Sequence, residues 1–376
     1  MFMKAHSKVS QFDMSITGTP SQEIRATLAV TGLAPRAPDW AAGGGALPTA
    51  LPAFQRGFAR ADAAANVPAN NFAGVLAHLF GGHNAELPVA ALTHWLDSGA
   101  RTSGYWLRAD PVHLEPRGGA LVMLPATELT HSDAAGLLAD LNRALPELAI
   151  EAPVPGRWYV RLASAPAVDF TDIETVAGRN IDDYLPRGAH AGNWRRYLNE
   201  IQMVLHARAT AAGNDGLASA SALPVNSVWF WGGGSLPAAV PTAAQAWTQL
   251  WSNELLSTGL ARWAQVPRAA LPEAANEWRR QVTEPGAHLL VLNATALHPE
   301  WSHAIETFDR TWLTPLLTAV RRGEIAELRL LGDHGLYPQQ SHPWRQWSWT
   351  ARHLKRWWRP RQDIATCLRQ LAGHSP

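Results

Sequence analysis

Cysteine is all but missing, with one residue, Cys367, in a chain of 376. A single thiol excludes a disulfide framework and any cysteine-based zinc cluster, and it fits a reducing compartment. Charge is sparse too. Charged residues make up 17%, and a net charge of +1 provides no global field to recruit nucleic acid or lipid. Apolar runs are short. None approaches the roughly 20 residues that span a bilayer. No apolar segment follows Lys4 and Lys8, as a secretory signal would require. The expectation is a cytoplasmic protein with no membrane span.

Tryptophan, by contrast, is abundant at 18 residues. Such rings usually fill cores and interfaces; a sugar-stacking surface is the sharper alternative. The length and the 47% of hydrophobic residues suffice for a large core, as one domain with an insertion or as two domains. The chain is organised around residues 224–237. Residues 228–231 read as a buried strand, Gly232-Gly233-Gly234 as a turn, and 243–264 as a helix carrying Trp247, Leu250, Trp251 and Leu255. Strand, glycine turn and helix in that order belong to an open α/β sheet. The glycines either pack a turn under bulky neighbours or form a ligand-contacting loop at a strand end. They match neither G-x-G-x-x-G nor G-x-x-x-x-G-K-[ST], so a nucleotide is not supported.

Elsewhere, helices are expected over 51–60 and 86–98, and a hairpin over 105–124 around Arg117-Gly118-Gly119. Thr130 and Asp133 resemble a capping box before Leu137, Leu138, Leu141 and Leu145. Residues 158–162 read as a strand. Trp194, Tyr197, Leu198, Ile201, Val204 and Leu205 share one helical face. Strands at 288–293 and 327–331 flank a helix marked by Ile305, Phe308, Trp312 and Leu316, which Pro315 kinks or splits. Strands joined by long helices imply a mostly parallel sheet.

Candidate polar groups are few. Arg108, Asp110 and His113 form either a surface ion pair with a satisfied histidine or a phosphate or carboxylate contact made by Arg108. Arg161, on the 158–162 strand, is the second candidate substrate-binding residue. Near the C-terminus, Trp344, Trp347, Trp349, Trp357 and Trp358 interleave with Arg345, Arg352, Lys355, Arg356, Arg359 and Arg361. This pattern suits an amphipathic helix with buried rings. Nucleic acid, an anionic membrane or a partner protein are its alternatives.

Several stretches, in order, resemble the archaeal-type cofactor-independent phosphoglycerate mutases of the alkaline phosphatase superfamily. They are Gly178-Arg179-Asn180-Ile181 with Tyr184-Leu185-Pro186, then 226–232 with Leu236-Pro237, then Ile305-Glu306-Thr307-Phe308-Asp309, then Asp333-His334 and His342. The segment 106–114 is similar to bacterial regulatory proteins of the RpfE type. The resemblance implies an alkaline-phosphatase-like, mostly parallel sheet flanked by helices, built from 1–104 and 216–376, with an inserted α+β domain at 105–215. It implies that Asp333 and His334 are the candidates for one metal site and His342 with His298 for a second, and that Asp333, His334 and His342 converge at the strand ends. The bland reading of Asp333-His334 is a cap and a loop histidine. Two elements of the family pattern are missing. No N-terminal Asp-Gly with a Ser/Thr-Pro nucleophile is recognisable, and Ala294 stands where spacing from His298 would place an aspartate. Imidazoles leave the charge of two close dications unbalanced. The expected function is therefore a non-catalytic or strongly diverged relative with a binding or regulatory role. The alternative is a metal-dependent phosphoglycerate mutase or phosphatase acting on a small phosphorylated metabolite. The cofactor is either a divalent metal, manganese or zinc, or none, with none favoured. The partner is a small phosphorylated ligand or a protein, and nucleic acid is not expected.

Overall fold

The computed structural model describes residues 23–34, 48–62, 65–67, 69, 71–81, 87–211, 223–239, 246–298, 300–332, 344–356 and 358–371. In chain order the strands are β1 (Ile24–Thr31), β2 (Ala65–Asn66), β3 (Tyr105–Arg117), β4 (Ala120–Pro125), β5 (Glu151–Val154) and β6 (Arg157–Leu162). They continue with β7 (Ser227–Gly234), β8 (Gln249–Ser252), β9 (Arg268–Ala269), β10 (Gly286–Asn293), β11 (Glu327–Gly332) and β12 (Arg345–Thr350). The helices are α1 (Pro52–Phe58), α2 (Phe72–Leu79), α3 (Val89–Ser98), α4 (His131–Ala144), α5 (Ile173–Val176) and α6 (Ala191–Ala211). Then come α7 (Leu255–Ala264), α8 (Ala275–Gln281), α9 (Trp301–Phe308), α10 (Thr314–Arg322), α11 (Ala351–Leu354) and α12 (Ile364–Leu371). Among the described residues no helix is long and apolar enough to cross a membrane.

Two compact units result. The first comprises Met1–Asn66, Thr242–Ser252 and Val266–Pro376, and the second Val67–Pro241 and Asn253–Gln265. Besides residues 105–215, the second unit contains α2, α3, β7 and α7. Ala90 and Ala91 of α3 pack on Trp106 and Tyr159, and β7 pairs with β3.

The first unit is a mixed α/β layer structure. Its sheet runs β2-β12-β11-β1-β10-β8-β9. β1 lies between β10 and β11, parallel to both. β8 continues the parallel set beyond β10 and β9 beyond β8, whereas β12 is antiparallel to β11. Strands covered on both faces need near-continuous apolar sequence. β1 and β10 supply it, with Leu28, Val30, Leu290 and Leu292 in one core cluster with Phe54, Phe308 and Trp312. Residues 249–252 were expected to be helical and are a strand instead. Leu250 and Trp251 have helical spacing with Trp247 and Leu255, but the place beside Leu289 and Leu290 of β10 decides. The helix starts only at α7, capped by the Glu254 carboxylate on Leu256 N and Ser257 N, both at 2.7 Å.

Residues 345–350 of the C-terminal aromatic segment are likewise a strand where a helix was expected, and a short helix, α11, follows at 351–354. Trp347 and Trp349 alternate inward from β12, the two-residue period of a pleated strand. Trp347 stacks on Phe58 at 4.7 Å, and the Trp349 indole donates to Gly57 O at 2.8 Å. Both rings fix α1. Its first turn has no cap of its own: Leu51 offers no side-chain acceptor and Pro52 opens the helix. The orphan N–H groups go to Asp309, whose carboxylate accepts from Ala53 N at 3.1 Å and Phe54 N at 2.8 Å. One turn earlier Glu306 accepts from the Thr49 hydroxyl at 3.0 Å. Thus both carboxylates of the Ile305–Asp309 wording hold the segment 49–54. Asp309 opens a π turn, Asp309–Leu313, that joins α9 to α10. Pro315, which lacks an N–H, then sits in the first turn of α10. Cys367 of α12 is fully buried, and burial pushes its thiol up to about 12.

In the second unit, β3 is long enough to serve three partners. β4 pairs with its second half, β6 with its first residues, and β7 runs antiparallel along its middle. The strand of 228–231 therefore lies outside the parallel sheet, contrary to expectation. Its glycines continue the strand and do not turn. Gly232 has φ +64°, and a Cβ on Gly234 would sit 2.6 Å from Pro88 Cα. The bulky neighbours of the blander reading are Pro88, Val89 and Tyr105, and they fill the space a ligand would need. The capping box at Thr130 and Asp133 forms as expected. On α6, Trp194, Leu198, Ile201 and Leu205 are buried against Leu107, Trp158 and Phe230.

Burial pushes the Asp309 carboxyl up to about 6, against the hydrogen bonds from Phe54 and Ala53. A folded-state pKa above the unfolded value means the native state holds this proton more tightly. The resulting stabilisation is complete below pH 3.8 and is lost as the pH rises through about 6. Asp309→Asn keeps an acceptor without the charge. Urea midpoints of wild type and variant, measured from about pH 4.5 to about pH 7, should move in the variant's favour as pH rises. A pH-independent difference would count against a titrating Asp309.

Candidate functional site

Parallel strands finish at a common edge, and open α/β sheets bind ligands outside their carboxyl ends. In the first unit that edge is formed by Thr31, Ser252, Asn293 and Gly332, the last residues of β1, β8, β10 and β11. The exits of β1 and β10 are tightly apposed. Gly32 has φ +74°, and a Cβ there would lie 2.7 Å from Thr295 Cγ2, so a side chain is excluded both by backbone conformation and by space. The Asn293 side chain accepts from Thr295 N at 3.0 Å and Thr295 Oγ1 at 2.7 Å, which starts the 3-10 turn Ala294–Leu297. The Thr31 hydroxyl donates to Leu292 O at 3.4 Å.

His298 ends that turn. Its Nδ1 accepts from Glu300 N at 3.0 Å. Its ring centroid lies 4.9 Å from that of His303, whose Nδ1 is 2.8 Å from Glu300 Oε2. The structure thus places His298 at the C-terminal edge of β10 with Nε2 directed to no partner among the described residues. Asp333, His334 and His342 lie outside the described residues. In sequence Asp333 directly follows Gly332, the last residue of β11. Ala294 is fully buried in the core cluster. Among the described residues no three His, Cys, Asp or Glu side chains group as a metal site. What is described at this edge is one imidazole pair, an amide and hydroxyls, a set able to hydrogen-bond a polar ligand.

The two candidate arginines share one face of the second unit's sheet. Arg108 opposes Tyr159, and Trp106 opposes Arg161. Arg108 is buried, at 5% exposure, and its donors are committed within the protein. Its Nε reaches Asp110 Oδ1 at 3.0 Å, Nη2 reaches Asp110 Oδ2 at 2.8 Å, and Nη1 reaches the Thr93 hydroxyl at 3.3 Å. The Tyr159 and Trp231 rings sandwich the guanidinium at 5.1 and 5.4 Å, and Trp231 Nε1 donates to Asp110 Oδ2 at 2.7 Å. The ion pair is real, but it is interior and not at the surface. Burial pushes the Asp110 carboxyl up, against the Arg108 charge that holds it down. Arg161 is exposed and donates to Ser103 O at 2.9 Å. His113 is the satisfied histidine of the blander reading, with Nδ1 2.8 Å from Pro224 O.

Beside this pair lies a second polar cluster that the sequence reading missed. Asp97 takes both Arg157 donors at 2.7 Å and the Tyr159 hydroxyl at 2.5 Å. His94 stacks on Trp106 at 3.8 Å. The i, i+4 spacing of Thr93 and Asp97 was a usable signal for one helix face. Nothing local says that this face is covered by Arg157 and Tyr159.

No protein-family model matches the chain, and no curated protein matches it in sequence. Among solved structures it is similar to the PH0037 protein from Pyrococcus horikoshii. The TM-score is 0.50 at 14% identity, over 95% of this chain and 99% of that one. A cofactor-independent phosphoglycerate mutase from Thermoplasma acidophilum DSM 1728 matches at TM-score 0.43 and 16% identity, over 87% and 90% of the two chains. The likeness to the Pyrococcus protein shows a shared fold.

Removing one member of a buried ion pair leaves an uncompensated charge. Arg108→Met should cost about 3–5 kcal/mol of stability in urea unfolding, and Arg108→Met with Asp110→Leu should recover much of it. A single variant as stable as wild type would show that Arg108 is not confined by Asp110.

Proposed function

We propose that the protein is a strongly diverged, phosphoglycerate-mutase-like protein that acts by binding and not by two-metal phosphoryl transfer. The observation that carries this reading is the chemistry of the strand ends. β1, β8 and β10 finish on Thr31, Ser252 and Asn293, all uncharged, and Ala294 is core. A pair of dications about 3.5–4 Å apart needs anionic ligands to balance it and to present the phosphoryl group. Hydroxyls and amides bring no charge. The candidate metal set of Asp333, His334, His342 and His298 includes one carboxylate. It suits at most a single divalent ion, manganese or zinc.

The domain reading follows as part of the same proposal: the second unit is an insertion that elaborates a mutase-like core. A regulatory role of the RpfE type rests on the wording of 106–114 alone. That stretch is largely the buried part of β3, with Trp106, Leu107, Arg108, Ala109 and Asp110 all inside. Such wording is what packing constrains, so it speaks for shared architecture more than for a shared task.

Losing one transition-state stabilising group commonly costs about 10²–10³ in rate, and here neither the family's Asp-Gly with its hydroxyl nucleophile nor an aspartate at Ala294 is recognisable. The purified full chain should show no manganese-dependent interconversion of 2- and 3-phosphoglycerate above a metal-free control. Robust turnover that disappears in Asp333→Ala would overturn the reading in favour of a metal-dependent mutase.

A further inference from the structure

We propose that a cleft in the first unit, away from the strand ends, binds an organic phosphate of metabolite size. The cleft has a volume of about 310 Å³ and lies between α1 and α10, with Leu354 of α11 at its side. That volume is in the range of small-molecule sites. On α10, Thr314, Leu317, Thr318 and Arg321 face it, spaced three, four and seven residues from the first. On α1 and its exit, Ala53, Arg56, Gly57 and Arg60 do the same. Ala53, Leu317 and Leu354 give the cleft an apolar lining, and Arg56, Arg60 and Arg321 are its three cationic residues.

No carboxylate lines the cleft. Arg56 and Arg321 are exposed and have no acidic partner among the described residues. Arg60 Nη1 makes only a long bond to Leu354 O at 3.4 Å, and its Nε is buried with no acceptor. The acidic group that follows, Asp62, is taken by His353 at 3.0 Å and Arg356 at 3.4 Å. Arg56 and Arg321 lie in the last turns of their helices, where a cation favours the helix dipole. That placement explains each arginine alone. It does not explain why three arginines line one cleft that holds no carboxylate, nor the unused Nε of Arg60. An anion within hydrogen-bonding reach of all three would relieve their mutual repulsion. The concave shape and limited volume favour a small phosphate ester over a polymer.

The site is also at the far end of the sheet. β12 is antiparallel to β11, so Thr350 lies beside Glu327 at the start of β11. Trp349 and the Asp62 N–H, which donates to Ser348 O at 3.3 Å, tie α1 to that end. The proposal therefore stands apart from the reading of the strand ends, and failure of either leaves the other intact.

Phenyl phosphate carries the implied chemistry, one phosphate on an apolar ring. Calorimetric titration of the full chain should show saturable binding that weakens with added salt, with inorganic phosphate binding more weakly and phenol not at all. Arg56→Gln and Arg321→Gln should each weaken it by about tenfold or more, since each removes a charge-assisted bond. Both side chains are exposed, so these variants should keep the wild-type circular dichroism. Thr318→Trp fills the cleft without changing its charge and should also abolish binding, which a diffuse surface attraction would not predict. Unchanged affinity in both arginine variants would overturn the proposal. So would a chain that ignores phenyl phosphate but takes an acidic peptide or DNA through the same arginines.

Discussion

The first unit hangs on one carboxylate. Asp309 leaves the helical path at a π turn and takes the first two free N–H groups of α1. It is 1% exposed. Burying a carboxylate is costly unless it is hydrogen-bonded, and leaving the start of a helix uncapped in an apolar interior is costly too. Each group satisfies the other. The consequence is positional: α1 is short, has no cap of its own, and could not otherwise hold its angle on β12. At its other end Phe58 stacks on Trp347 and Gly57 O accepts from Trp349, so the helix is held at both ends.

The second unit uses charge differently. Arg108 and Asp110 stand two residues apart on β3, so the pleat sends both to one face, and α3 supplies the Thr93 hydroxyl that completes the arginine's bonds. The same helix delivers Asp97 to Arg157 and Tyr159. Such clusters contribute little net stability compared with a packed apolar interior. They are demanding in geometry, however, and any shift of α3 along the sheet would break several bonds together. Register, more than raw stability, is what they supply.

What could be read in advance was local. The hairpin at Arg117-Gly118-Gly119, the Thr130 cap and the face of α6 each depend on neighbours within a few residues, and all three form as the residues suggest. β8 and β12 were missed for the opposite reason. Leu250 and Trp251 carry a spacing that fits a helix, and only the vacancy beside β10 makes them a strand. Trp347 and Trp349 have the period of two in plain view, but the arginines around them mimic an amphipathic helix. At the candidate site, His298 could be placed at a strand end because it follows a recognisable β-run. Arg108 could not be judged, since nothing near it says whether its face is open or covered by α3. The cleft was least legible of all: its walls come from opposite ends of the chain, and neither wall is unusual by itself.

The lone thiol has a practical meaning. Cys367 sits on the inner face of α12 within the core of the first unit, and burial holds it in the protonated, unreactive form. A thiol reagent needs both access and thiolate. In the native fold it finds neither, so alkylation has to wait for α12 to leave the core. With no second cysteine to complicate the signal, the rate of labelling becomes an intrinsic clock for that opening. It reports the mobility of one end of the chain without any introduced probe.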